Sequence, residues 1–178
     1  MTNRLFAAHA GARPGARAVL AMLALMLLAA TPFAMTPPAS AADEVNVSTG
    51  ATLAGPGLAV HGYDVVAYFR GKGPTRGSDK YATAHAGATF RFASQENLDT
   101  FKTEPSKYEP AYGGFCAYGV ALGKKFDGDP RFWKIVDGKL YLNLNADIQK
   151  EWSKEERPNI TKADSNWAAI RSTPAAKP

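Results

Sequence analysis

The chain has 178 residues, 46% of them hydrophobic, with 21 Lys and Arg against 16 Asp and Glu and a formal charge of +5. Three basic residues and no acidic one lie in the first 42, so the remainder carries 18 basic against 16 acidic residues, +2, which is no footing for nucleic-acid binding. A single cysteine excludes an internal disulfide and a thioredoxin-type redox pair.

Residues 1–17 contain Arg4, Arg13 and Arg17, and "AVLAMLALMLLAA" (18–30) follows as an unbroken apolar run. That run is short for a bilayer span, which takes about 20 residues, and suits the core of a secretory signal. Ala39 and Ala41 have the small-residue spacing of a cleavage site, which predicts removal of residues 1–42 and no membrane attachment afterwards. There is no Arg-Arg pair for the twin-arginine route and no cysteine near the cleavage site for a lipid anchor. The expected location is the periplasm. Cleavage removes all four methionines and His9, leaving His61, His85 and Cys116 as the nitrogen and sulfur ligands of the mature chain. Residues 43–57 are small and polar, a flexible lead-in, and residues 171–178 read as a disordered tail. Residues 58–170 form one domain, without an internal repeat.

Within it, "LAVHGYDVVAYF" (58–69) is apolar and aromatic and must be largely buried. "KYATAHAGATFRF" (80–92) predicts two strands around Ala86-Gly87, with His85 opposite Ala88, Thr83 opposite Phe90 and Tyr81 opposite Phe92, so that His85 shares the Phe face. A helix follows over 94–108, with Ser94 as its cap, Leu98 and Phe101 on one face, and Pro105 stopping or kinking it. "GKK" (123–125) and "DGDP" (127–130) read as a solvated loop, with Lys124 and Lys125 as a conceivable anion site. "FWKIVDGKLYLNLN" (132–145) predicts a hairpin around Asp137-Gly138, whose residues supply the positive φ angles of a two-residue turn. Asn145 then caps a helix carrying Ile148 and Trp152, and a last helix around "KADSNWAAI" buries Trp167. Hairpins followed by helices give an α+β fold.

"GYDVVAYF", "FRFASQENLDTFKTEPSKYEPAYGGFCAYG" and "DGKLYLNLN" together resemble the exported branch of the YHS-domain family, over roughly residues 58–168 by the extent of a single domain. The compact members of that family occur in heavy-metal-handling proteins such as copper-transporting ATPases and in some hydroxylase subunits. Their pattern has an Asp-Pro-Val-Cys-Gly-Met stretch, then Phe-Cys-Ser-x-x-Cys, Phe, Pro and Tyr. Here Asp64, Val66, Phe92, Ser94, Phe101, Pro105 and Tyr108 match, while Ala67, Ala93 and Asn97 stand where the cysteines would be. The resemblance implies the fold and an association with metal handling, and not a site built from those thiolates.

Cys116, in "YGGFCAYG" (112–119), is therefore open to three readings. It is a buried apolar thiol, a metal or cofactor ligand, or a reactive nucleophile paired with a histidine. As a ligand it would join His61, with Asp64 adding oxygen, a set that suits copper before other transition metals. The rings and glycines around it, Tyr63, Tyr112, Gly113, Gly114, Phe115 and Tyr118, would line an amphipathic pocket for a small molecule. The reading adopted is a non-enzymatic binding module of the cell envelope, with copper on Cys116, His61 and Asp64. The alternatives are a thiol-dependent enzyme or small-molecule binder at Cys116, and an interaction module in which Cys116 is purely structural.

Overall fold

A computed structural model describes residues 44–47, 57–173 and 175, all within the compact unit Thr36–Pro178. Residues 1–42, expected to be a signal peptide, lie outside the described residues. The fold is α+β, built from two two-stranded antiparallel sheets and short helices. Among the described residues no helix is long and apolar enough to cross a membrane.

The first half opens on a tight turn, Ala59–Gly62, in which Val60 and His61 hold left-handed φ angles of 50° and 51°. Helix α1 (Val65–Phe69) follows, capped by Asp64. Strands β1 (Ser78–His85) and β2 (Ala88–Phe92) form a hairpin around Ala86 and Gly87, both at positive φ. His85 pairs with Ala88 and Thr83 with Phe90, as expected from the sequence. Phe92, however, pairs with Ser78 rather than Tyr81, because a bulge between Ser78 and Ala82 shifts the register. Helix α2 (Gln95–Thr103) is capped by Ser94, which accepts from the Asn97 amide. It ends at Glu104, driven out of helical angles by Pro105, and α3 (Pro105–Tyr108) restarts with that proline in its first turn.

The second half does this again. A tight turn, Ala111–Gly114, places Tyr112 and Gly113 at φ 54° and 60°. Helix α4 (Ala117–Ala121) is capped by Cys116. Strands β3 (Asp129–Val136) and β4 (Lys139–Asn143) turn at Asp137 and Gly138, both at positive φ, and carry a bulge between Asp129 and Trp133. Helix α5 (Ala146–Lys154) is capped by Asn145, and α6 (Glu156–Ile170) follows. Even the isolated bridges recur: Leu58 pairs with Thr89 and Pro110 with Leu140, and Tyr63 with Arg76 and Phe115 with Asp127. The Asp64 amide donates to Thr75 O, and the Cys116 amide to Phe126 O. The chain is an internal structural repeat, contrary to the expectation from its sequence. The copies share backbone angles, caps and turns, and few side chains.

The two halves are not independent. Leu140 and Leu142 of β4 enter the core formed by Val65, Phe90, Phe92, Phe101 and Tyr108 of the first half. Tyr141, on the opposite face of the same strand, joins Tyr112, Phe115, Trp152 and Ala163 in a second core. Each such fully buried large side chain contributes about 1.5–3 kcal/mol. Tyr68 crosses between the halves and donates to Pro130 O at 2.9 Å.

Several segments are more tightly held than their composition predicts. Of the lead-in, Val45 and Asn46 are buried, and the Asn46 amide donates to Gly113 O at 2.8 Å. "DGDP" is no solvated loop, since Gly128–Pro130 are buried. Lys125 is no anion site: it is 3% exposed, its Nζ donates to Arg171 O and Thr173 O, and it lies over the Phe115 and Trp167 rings. It thereby fastens the first residues of the expected tail and satisfies carbonyls at the end of α6. Trp167 is half-buried rather than buried.

Candidate functional site

Cys116 is 1% exposed and caps α4 through its sulfur, which accepts the Gly119 amide at 3.4 Å. The amides of Tyr118 and Leu144 also point at it. Burial pushes the thiol upward, and the facing amides only partly offset this. The environment is the opposite of that of a reactive cysteine, which is exposed and held as thiolate.

Asp64 occupies the matching position in the first half. Its Oδ1 accepts the Val66 and Ala67 amides at 2.9 and 3.2 Å, and its Oδ2 accepts the Ala93 amide and Asn97 Nδ2 at 2.8 and 2.6 Å. The carboxyl group is fully buried and both oxygens are engaged, as a buried polar group requires. His61 is also buried. Its Nε2 lies 2.8 Å from Asp127 Oδ1, and a carboxylate only accepts, so Nε2 carries the hydrogen. Asp127 Oδ1 also accepts Asn46 Nδ2 at 2.7 Å. Among the described residues no group of three or more His, Cys, Asp and Glu side chains is disposed to hold a metal ion. His85, on the Phe face as expected, is edge-on to Phe101 and bonded through Nε2 to Glu109.

The opening of interest lies elsewhere, where the Ala111–Gly114 turn meets β4, α6 and the tip of the first hairpin. It is a cavity of about 400 Å³ whose wall includes Phe90, Tyr112, Gly113, Tyr141 and Trp167, with Glu44, Glu109, Lys139 and Asp164 around it. Tyr112 stands between Tyr141 and Trp167, with centroids at 5.9 and 5.8 Å. Its hydroxyl donates to Asp164 Oδ1 at 2.9 Å. Burial, and then this bond, push the phenol far above its ordinary value, so it stays protonated. Tyr141 is also pushed up, by burial first and by nearby carboxylates, Asp164 the nearest in effect.

Of the residues expected to line a pocket, Tyr112 and Gly113 do so, while Gly114, Phe115, Tyr63 and Tyr118 are not in this wall. Nor is Cys116, whose sulfur faces the α4 amides instead. Tyr141 and Asp164 were not singled out in the sequence, and Trp167 was expected only as a buried residue of the last helix. Tyr141 could have been, because in "KLYLN" it alternates with two leucines and must face away from them. No family model matches the chain, and neither a curated protein nor a solved structure matches it.

Proposed function

We propose that the protein is an exported, YHS-like, non-enzymatic binding domain whose ligand is a small molecule seated in the cavity over Tyr112, Tyr141 and Trp167. The observation that carries this is the cavity itself. Its volume of about 400 Å³ falls in the range of small-ligand sites, and its wall combines four rings with a few convergent polar groups. The copper reading has less behind it: Asp64 spends both oxygens on four donors, and the Cys116 sulfur is engaged with the helix it caps. A thiol-dependent reaction would need an accessible, acidified sulfur, and burial acts against both.

Ligand-observed NMR with a fragment set tests the reading, using the mature domain and an Ala111→Trp variant that fills the cavity. Ala111 is half-buried in the wall. Fragments should bind the native domain, with signals lost on the variant while its circular dichroism is unchanged. Binding that is indifferent to the filled cavity, or no binding at all, rejects the proposal.

A further inference from the structure

The cavity has an aromatic floor and an acidic rim. Tyr112 and Tyr141 are 7% and 6% exposed, and Trp167 is half-buried beside them. The cavity wall carries three carboxylates, Glu44, Glu109 and Asp164, against one ammonium, Lys139, while Lys125, outside that wall, lies over the Trp167 ring. Arg171 comes within 3.9 Å of Glu44, and His85 is bonded to Glu109, so Asp164 is the carboxylate most available to a ligand. Asp164 accepts the Tyr112 hydroxyl through Oδ1 and sits exposed at the cavity edge.

We infer that the ligand is a small organic cation, with an ammonium group over the Tyr112, Tyr141 and Trp167 rings and beside the Asp164 carboxylate. This rests on the reading of the cavity as the ligand site. Ring faces carry the negative part of the aromatic quadrupole, and several of them around one site attract a cation more than a neutral group of equal size. An anionic ligand would meet three carboxylates at the rim. A purely apolar one would cover Asp164 without replacing its water. The Tyr112 hydroxyl donates to Asp164 and so orients it, and the ring and the carboxylate act on the same volume.

Choline and 3,3-dimethylbutan-1-ol test the inference, because they match in shape and differ in the charge of one atom. Each is titrated into the mature protein at low salt, following the indole signal of Trp167 by NMR. Choline should bind about tenfold more tightly than the alcohol, lose affinity with added salt, and fall to the level of the alcohol in Asp164→Asn. Trp167→Leu, read by saturation transfer to the probes because it removes the indole, serves as a second variant should Asp164→Asn fail to fold, and it should erase the same preference. Equal affinities for the two probes overturn the cation assignment and leave the cavity reading standing. Failure of both probes to move the Trp167 signal overturns the cation assignment, and the cavity reading is then decided by the fragment experiment alone.

Discussion

At position 116 a thiol stands where the first repeat has the carboxylate of Asp64, and both cap the helix that follows. The Gly119 amide meets the sulfur, and the amides of Tyr118 and Leu144 point at it as those of Val66 and Ala93 point at Asp64. The difference lies in the remaining donor: Asn97 completes the shell of Asp64, whereas its counterpart in the second repeat is Ile148. A neutral thiol asks less of its surroundings than a carboxylate does. A lone cysteine in the sequence suggests metal chemistry, whereas in the fold its sulfur caps a helix. One residue cannot reveal which polar groups the fold will bring to it. Accordingly Cys116 should resist alkylation in the native protein, with or without copper, and react only on unfolding. Cys116→Ser should keep the cap, and Cys116→Ala should lose about 1 kcal/mol in urea denaturation. Rapid labelling of the folded protein at neutral pH, with protection by copper, would return the metal reading to first place.

Among the elements, those whose signals are local were legible. Both hairpin turns, the Ser94 and Asn145 caps and the break at Pro105 follow from residue chemistry within a few positions. The two bulges were not, since they are set by where each strand must begin relative to its turn and not by anything within the strand. Those bulges explain why Tyr81 misses Phe92. They also account for a clamp at the start of β3. Asp129 accepts the Arg131 amide at 2.9 Å and its guanidinium through both oxygens, across the bulged segment. Burial pushes the Asp129 carboxyl up, but the bonds to Arg131 outweigh it, and the net result lies below the ordinary carboxylate value. A depressed folded-state value means that the unfolded chain binds the proton more readily. The clamp therefore adds stability above about pH 4, the unfolded value, and loses it as pH falls through the lower folded value. Replacing Arg131 by Met keeps the backbone amide bond but removes the guanidinium, so less is left to offset burial. The Tm gap between the native protein and Arg131→Met should be widest near neutral pH and close below about pH 4. A gap independent of pH would show that Arg131 contributes packing and not the ionisation of Asp129.

For the whole molecule, the repeat raises the question of whether each half folds by itself. The repeat escaped sequence reading because the fold needs only a left-handed turn, a cap, a turn pair and a second cap, and several residue types satisfy each. Val60 and Tyr112 hold the same φ, and Ser94 and Asn145 the same cap, without sharing a side chain. The core is distributed otherwise. Strand β4 is buried on both faces, giving Leu140 and Leu142 to the first cluster and Tyr141 to the second. Tyr68 and His61 of the first half bond to Pro130 and Asp127 of the second. A fragment ending at residue 108 would expose Phe90, Phe92 and Phe101 where the β4 leucines now lie, and leave His61 without its carboxylate. It should therefore remain unfolded by circular dichroism, while a chain of residues 43–178 unfolds in one step. In urea, tryptophan fluorescence and far-ultraviolet dichroism should give coincident transitions. Trp133 lies against the first core and Trp152 is buried in the second, so the fluorescence samples both. Two separated transitions, or a folded 58–108 fragment, would mean that the shared strand binds two self-sufficient repeats. The cavity over Tyr112 would still be incomplete in the second half alone, since Ala86 and Phe90 of the first hairpin line it although its floor of Tyr112, Tyr141 and Trp167 belongs to the second.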